Sequence, residues 1–381
     1  MITVWRGVCR PRALPHPDMT DRYRDFRRLA ATLGTEAVAL VPGPNFTRLF
    51  GHRFHTNERP LVVVIPVEGP PAAIVPNLEL TSFADLAFEG AVFDWRDQTG
   101  HAGAFEALAA HLPLRSLAVE GQVMRVFVAL ALTAALPGLR IVDGETAITG
   151  LRYRKTEAEI AAMERAIAIS EAALGDTLDR IRIGQTEKAI EAMLVQAMFA
   201  HGAEEQAFGA LVAAGAHSAA AHAHARDVAI RAGDPLLIDF GARWGGLCAD
   251  ITRTVFVGHV TDEAAAVYET VLAANARGHE VTRPGLTAHD VDDAVISVLE
   301  ASPYADRIHT KTGHGLGRDV HEAPYIMRGN HQMLEPGVVF TNEPGLYKPG
   351  RFGIRIEDDV LVTGSGSRSL TRFPREIRIV G

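Results

Sequence analysis

Two pairs of acidic residues lie within apolar, strand-like segments of the C-terminal half, and they constrain the fold more than any other feature of the sequence. Residues 235–241 and 248–257 are typical of strands, and a turn at residues 244–245 separates them. This loop places Asp239 directly opposite Asp250. Opposed side chains on adjacent strands are roughly 5 Å apart, so two carboxylates there repel each other unless a cation neutralises them. The first pair therefore predicts a β-hairpin that binds a divalent cation.

The second pair repeats this arrangement farther along the chain. Residues 338–343 and 353–357 are strand-like, and a loop at residues 349–351 pairs Glu343 with Glu357. Two alternatives remain open at this point. The acids could pair with neighbouring arginines, or the registers could differ by one residue, and either would remove the need for a cation.

His314 adds an imidazole to the four carboxylates. It lies between the two hairpins in sequence and is bracketed by glycines in residues 311–317, so its ring can approach a site closely. The spacing of these glycines does not fit a dinucleotide-binding loop. The donor set suits Mn²⁺ or Co²⁺, and also Zn²⁺, better than a structural zinc or an iron–sulfur centre. Because two divalent ions balance the four carboxylates, the sequence predicts a dinuclear metal centre.

Charge and hydropathy exclude several classes of protein. The formal net charge of −8 argues against nucleic acid or an anionic membrane as the main partner. The longest apolar stretch, residues 127–136, is about half the roughly 20 residues that span a bilayer. The N-terminus lacks the apolar segment of a signal peptide, so we expect a cytoplasmic protein.

The chain divides into two domains near residue 150. Residues 20–150 alternate helical and strand-like segments, which predicts a small α/β domain. A capping box at residues 156–159 begins a new helix, so residues 151–381 form the second domain. Residues 1–19 are interrupted by prolines and predict an N-terminal extension, and Met19 is an alternative start of translation.

The acidic residues and His314, in this order and spacing, resemble the dinuclear metallopeptidases of the pita-bread fold, family M24. The branch that acts on Xaa-Pro bonds, prolidase and aminopeptidase P, fits best because it adds a creatinase-type α/β N-terminal domain. The matching segments are residues 151–155, 238–242, 249–254, 313–317, 320–324, 342–345 and 354–359. The resemblance implies an α+β catalytic domain, a proline-containing di- or oligopeptide substrate and a homodimer.

The resemblance also implies a role for each matching residue. The implied metal ligands are Asp239, Asp250, His314, Glu343 and Glu357. Asp250 and Glu357 would bridge two ions, most readily Mn²⁺, with Co²⁺ or Zn²⁺ as alternatives. Glu343 would also accept a proton from the attacking water.

Three further residues match family positions around the metals. His222 and His321 correspond to two histidines that hold the substrate, although Ala220-Ala221 precedes His222 where the family often has Leu-Pro. Arg355 is expected to orient a ligand carboxylate.

The sequence departs from the family beyond the His-Glu-x-Pro motif, where many prolidases carry an arginine that binds the terminal carboxylate of a dipeptide. Here Tyr325 follows the proline, and the nearest arginine is Arg328. If Arg328 reaches the site, a dipeptidase is favoured. If it points away, aminopeptidase P, which acts on longer peptides, is favoured.

Other members of the fold provide rival functions. Creatinase-like enzymes cleave non-peptide C–N bonds and some members only bind proteins, but both groups have lost ligands that this chain keeps. Methionine aminopeptidase normally lacks an N-terminal domain of this size. Within that domain, His52, Arg53 and His55 either contribute to capping the substrate or form a solvated basic loop. We therefore expect an Xaa-Pro dipeptidase, with aminopeptidase P as the alternative.

Overall fold

The computed structural model describes residues 22–55, 57–221 and 223–381. The chain divides after Arg152 into two compact units. The predicted extension at residues 1–19 and the predicted substrate-binding residue His222 lie outside the described residues. Among the described residues, no helix combines the length and the apolar character needed to cross a membrane.

The N-terminal unit contains one mixed sheet with the strand order β4-β3-β2-β1-β5-β6. Its strands are β1 (Ala37–Leu40), β2 (Val62–Pro66), β3 (Ala72–Pro76), β4 (Ala91–Trp95), β5 (Ser116–Val119) and β6 (Arg140–Asp143). Its helices are α1 (Arg24–Thr32), α2 (Pro44–Phe50), α3 (Leu80–Ala84), α4 (Ala102–His111), α5 (Val126–Ala135) and α6 (Glu145–Gly150).

Helices cover both faces of this sheet. Successive strand residues point to opposite faces, so neighbouring side chains enter different cores. Val38 of β1 joins Phe26 of α1 in one hydrophobic cluster, whereas Ala39 joins Phe105 of α4 and Val128 of α5 in the other. The unit has the α/β character that the sequence predicts.

Each long helix described in the C-terminal unit has a threonine at its N-cap position. They are α7 (Glu157–Leu178), α8 (Glu187–Ala200), α9 (Asp262–Val281) and α10 (Ala288–Glu300). The side chains of Thr156, Thr186, Thr261 and Thr287 accept a hydrogen bond from a first-turn backbone N–H. At α7 the predicted capping box is confirmed, because Glu159 also binds the backbone N–H of Thr156.

The described strands of the C-terminal unit form four small sheets, with the orders β11-β10-β7, β20-β12-β9-β8, β14-β13-β15-β18-β19 and β16-β17. The strands are β7 (Glu205–Gln206), β8 (Leu211–Ala214), β9 (Pro235–Phe240), β10 (Ala242–Trp244), β11 (Leu247–Cys248), β12 (Ile251–Val257), β13 (Gly313–Gly315), β14 (Glu322–Ile326), β15 (Val339–Asn342), β16 (Gly345–Lys348), β17 (Phe352–Arg355), β18 (Asp358–Val362), β19 (Ser367–Ser369) and β20 (Ile379–Val380). Side chains of α9, α10, β12 and β17 share one hydrophobic cluster.

The first hairpin has a different register from the predicted one. Trp244 pairs with Leu247, so the loop consists of Gly245 and Gly246, whose φ angles are 59° and 74°. Both glycines adopt the left-handed conformation that a type I′ turn requires. Asp239 consequently lies opposite Thr252 and not opposite Asp250. The prediction placed the loop one residue too early. This error shifts the residue opposite Asp239 by two positions, so Asp239 and Asp250 still project from the same face of the sheet.

The second hairpin has the predicted register. Lys348 pairs with Phe352 around the loop at residues 349–351, and Asn342 pairs with Asp358 on the other side of a short break. The same alignment therefore holds in β16–β17 and in β15–β18. Glu343 and Glu357 occupy opposed positions in the break between these two ladders. The predicted register is confirmed on both sides of this break.

Candidate active site

Donor atoms of four predicted ligands converge between the two hairpins. One donor atom each from Asp250, His314 and Glu357 lies within 4.8 Å of the other two. The Nε2 atom of His314 is 3.2 Å from Oε1 of Glu343 and 3.8 Å from Oδ2 of Asp250. Ligand atoms that share a cation at about 2.0–2.6 Å are separated by such distances.

Asp239 belongs electrostatically to the same cluster. Burial raises the pKa of Asp250 and of Glu357, and the surrounding negative charges, including that of Asp239, raise both further. The Oδ1 atom of Asp239 is buried and has no hydrogen-bond partner in the described part of the chain. A buried carboxylate oxygen without a donor is costly unless a cation contacts it.

Thr252 links the two hairpins at this cluster. It lies opposite Asp239 in the β9–β12 ladder. Its hydroxyl donates to Glu357 (2.5 Å) and accepts from Nε of Arg355 (3.0 Å). The backbone N–H of Glu357 in turn donates to the carbonyl of Thr252 (3.1 Å). One residue of the first hairpin thus orients a carboxylate of the second.

Arg355 holds the carboxylate of Asp239. Its guanidinium is buried and donates to Oδ2 of Asp239, to the hydroxyl of Tyr347 and to Thr252. Arg355 thus binds one oxygen of Asp239 and leaves the other, Oδ1, without a hydrogen-bond partner among the described residues. This is the kind of contact with a ligand carboxylate that the sequence predicts for Arg355.

The backbone around His314 fixes the orientation of its ring. Its Nδ1–H donates to the carbonyl of Gly315 (3.2 Å), which can only accept, and this contact directs Nε2 toward Glu343 and Asp250. Thr341 accepts from the N–H of His314 (3.1 Å) and donates to Glu343 (3.1 Å). The ring of His321 lies beside that of His314, with the ring centroids 4.0 Å apart.

Glu343 differs electrostatically from the other acids. Burial opposes its ionisation, but the hydrogen bond from His314 and the positive charges of His314, Arg355 and Lys311 lower its pKa below the usual value. For Asp239, burial outweighs the charge of Arg355 and raises the pKa. The cluster thus contains one carboxylate that ionises easily among others that resist ionisation.

The side chains present fit a pair of divalent cations. Oxygen donors dominate the set, with one imidazole, which is the chemistry that Mn²⁺, Co²⁺ and Zn²⁺ accept. Four clustered carboxylates repel one another without a cation, as the raised pKa values of Asp250 and Glu357 indicate. The free oxygen of Asp239 provides a further donor.

Arg328 does not join this cluster. Its guanidinium forms ion pairs with Asp293 and Glu300 of α10, and within the described residues it contacts none of the candidate ligands. These contacts do not support the prediction that Arg328 binds the substrate. Tyr325, in contrast, lies directly opposite His314 in the β13–β14 ladder, and its ring is 38% exposed.

The predicted capping residues lie in the N-terminal unit. His52, Arg53 and His55 are exposed, and the ring of His52 packs against Phe54 with the centroids 4.6 Å apart. Their role in capping the substrate stays a prediction.

Sequence reasoning missed three residues that organise the site. The position of Thr252 opposite Asp239 can be recognised only when the loop of the first hairpin is placed at Gly245 and Gly246. Asp359, which accepts from the backbone N–H of Asp250 (3.2 Å), follows Glu357 in the matching segment. Lys311 precedes the glycine run, but its contact with Tyr325 depends on strand pairing.

Family models match most of the chain. Residues 161–364 match metallopeptidase family M24, and residues 22–154 match the creatinase/prolidase N-terminal domain. The chain belongs to metallopeptidase family M24. Membership implies divalent metal ions, and it confirms the predicted pita-bread catalytic domain and its creatinase-type N-terminal partner.

Individual relatives agree with this membership. A probable dipeptidase PepE of Mycobacterium tuberculosis is 35% identical over 366 residues, covering 93% of this chain and 96% of the relative. An Xaa-Pro dipeptidase of Pyrococcus furiosus is 37% identical over 230 residues, 60% of this chain and 66% of the relative.

Solved structures show the same architecture. A recombinant prolidase from Thermococcus sibiricus superposes with a TM-score of 0.91 at 31% identity, covering 96% of this chain and 100% of the other. An X-Pro aminopeptidase from Thermotoga maritima superposes with a TM-score of 0.79 at 31% identity, covering 93% and 100%.

Proposed function

We propose that this metallopeptidase hydrolyses Xaa-Pro peptide bonds as an Xaa-Pro dipeptidase. The convergence of Asp250, His314, Glu343 and Glu357, with Asp239 in the same electrostatic cluster, carries the proposal. The similarity to the Pyrococcus furiosus Xaa-Pro dipeptidase and to the Thermococcus sibiricus prolidase supports the choice of substrate.

The proposed cofactor is a pair of divalent ions, with Mn²⁺ preferred and Co²⁺ or Zn²⁺ as alternatives. The proposed ligands are Asp239, Asp250, His314, Glu343 and Glu357, of which Asp250 and Glu357 would be shared by the two ions. When bound, the ions supply Lewis acidity and make a hydroxide available near neutral pH.

The protein side chains supply the remaining chemistry. Glu343 is the proposed acceptor of the water proton, because its lowered pKa keeps it ionised. His321, beside His314, is proposed to donate a hydrogen bond to the substrate and to the tetrahedral intermediate, together with His222. Arg355 orients the carboxylate of Asp239.

Aminopeptidase P activity is the second candidate, and the position of Arg328 favours it. Arg328 was expected to bind the terminal carboxylate of a dipeptide, but it forms ion pairs with acids of α10 instead. The similarity to the Thermotoga maritima aminopeptidase is also extensive. We also propose that the protein is a homodimer and that it is located in the cytoplasm.

Comparing Ala-Pro with Ala-Pro-Ala as substrates of the Mn²⁺-treated protein separates the two candidates, with Ala-Ala as the control. Faster release of alanine from the dipeptide supports the dipeptidase. Faster release from the tripeptide supports aminopeptidase P. Cleavage of neither proline peptide would overturn both.

A further inference from the structure

Lys311 occupies a defined position beside the candidate active site. The residue that follows it, Thr312, donates its N–H to Asp292 of α10 (2.8 Å). The carbonyl of Thr312 accepts from the backbone N–H of Glu343 (2.7 Å). The backbone next to Lys311 is therefore hydrogen-bonded both to a packed helix and to a proposed metal ligand.

The side chain of Lys311 lies over the ring of Tyr325, with Nζ 5.6 Å from the ring centroid. Tyr325 is paired with His314, and directly opposed residues project from the same face of a sheet. The ammonium group is thus on the face that carries the proposed metal ligand His314. Because Tyr325 is 38% exposed, this position is also open to solvent.

The charge of Lys311 is not neutralised locally. Lys155 and Lys348 form ion pairs with Glu322 and Asp306, whereas Lys311 forms none with any carboxylate of the described chain. The other cations considered for the site are engaged, since Arg355 binds Asp239 and Arg328 binds α10.

The chemistry of an Xaa-Pro dipeptide requires a cation at such a place. A single carbon atom separates the scissile nitrogen from the terminal carboxylate of the prolyl residue. A group that binds this carboxylate must therefore lie close to the metal centre. A lysine ammonium placed over an aromatic ring can donate charge-assisted hydrogen bonds to a carboxylate.

We propose that Lys311, supported by Tyr325, binds the free carboxylate of the proline residue and makes this enzyme selective for dipeptides. The inference rests on the proposed function and gives it a specificity-determining residue. It also explains how a dipeptidase can function while Arg328 is bound to α10.

Steady-state kinetics on a substrate and its amide test the inference. Ala-Pro carries the carboxylate, whereas Ala-prolinamide lacks the charge and keeps the same scissile bond. For Lys311→Gln we expect KM for Ala-Pro to rise about tenfold, with KM for the amide changed less than twofold and kcat for both changed less than threefold. Lys311→Arg should keep most of the preference for the free acid. The exposed Lys188 of α8 provides the matched control, Lys188→Gln.

The outcomes separate this inference from the proposed function. Equal losses on Ala-Pro and its amide would mean that Lys311 acts only through Glu343, and unchanged kinetics would mean that it has no role; both overturn the inference and leave the function intact. A wild-type protein that cleaves neither substrate in Mn²⁺ would overturn the proposed function itself, and the inference with it.

Discussion

His321 shows how much the role of a residue depends on its neighbours. Its ring lies 4.0 Å from that of His314, so it is close to the cluster, yet the convergent donor atoms belong to other residues. This arrangement fits a group that contacts the substrate better than a group that binds metal.

We therefore predict that His321→Ala lowers kcat for Ala-Pro about a hundredfold and leaves the bound metal unchanged. The expected loss reflects one hydrogen bond to the transition state. Steady-state kinetics and elemental analysis of the same preparation measure kcat and the bound metal. The control is His331→Ala, a substitution of an exposed histidine. A proportional loss of metal and kcat would make His321 a ligand.

At the scale of elements, Glu187 anchors the segment that connects β8 with β9. Its buried carboxylate, in the first turn of α8, accepts from the N–H of Ala214 (3.0 Å) and from the N–H of Arg226 (2.9 Å). It also binds the ring of His217 and the guanidinium of Arg226, each at 3.1 Å. Residues 214–226, which include His222, are thus fastened at both ends to one side chain.

Glu187→Gln should lower the free energy of unfolding by about 2 kcal/mol at pH 7. Burial disfavours the charge of Glu187, but the bonds from Arg226, Ala214 and His217 lower its pKa overall. A lowered pKa gives stability that is present above the unfolded value of about 4.3 and is lost as the pH falls through the folded value. Urea unfolding at pH 7 and at about pH 3 should therefore show a smaller difference from wild type in acid.

The variant Glu191→Gln, one turn later on α8, is the control for Glu187→Gln and should change stability by less than about 0.5 kcal/mol. If the difference in the free energy of unfolding between wild type and Glu187→Gln does not change with pH, the assignment of an ionised Glu187 is contradicted.

The first hairpin depends on a close approach at Gly241. A Cβ atom there would lie 1.7 Å from the carbonyl oxygen of Ala249, between the strands that carry Asp239 and Asp250. We predict that Gly241→Ala separates these strands, lowers the melting temperature and weakens Mn²⁺ binding. In α7, a Cβ at Gly175 meets nothing within 4 Å, so Gly175→Ala should be neutral or stabilising by up to about 1 kcal/mol. Equal behaviour of the two variants in thermal unfolding and metal titration would contradict this account.

At the scale of the whole molecule, the sequence predicted the two kinds of domain and most of the residues in the cluster of candidate metal ligands. The register of the second hairpin was predictable because one loop at residues 349–351 fits its flanking strands. The first hairpin was not, because Trp244-Gly245-Gly246 allows two placements of a short loop, and the left-handed backbone at both glycines decides between them.

Tertiary contacts account for the remaining differences. Arg328 follows the His-Glu-x-Pro motif in sequence, but it forms ion pairs with two acids of α10. The position of Lys311 over Tyr325 depends on the pairing of β13 with β14, which a single sequence does not specify. Local patterns therefore identified the candidate ligands in and next to strands, and missed the residues that tertiary packing brings beside them.

The dinuclear metal centre is the central claim, and titration of the chelator-treated chain with Mn²⁺ tests it most directly. Bound metal and hydrolysis of Ala-Pro are measured at each addition, with Asp250→Asn as the comparison variant. We predict that two ions bind per chain, that hydrolysis appears only as they bind, and that Asp250→Asn stays inactive with less metal. Hydrolysis at the full rate while the chelator is present, or full activity with a single ion bound, would contradict the account.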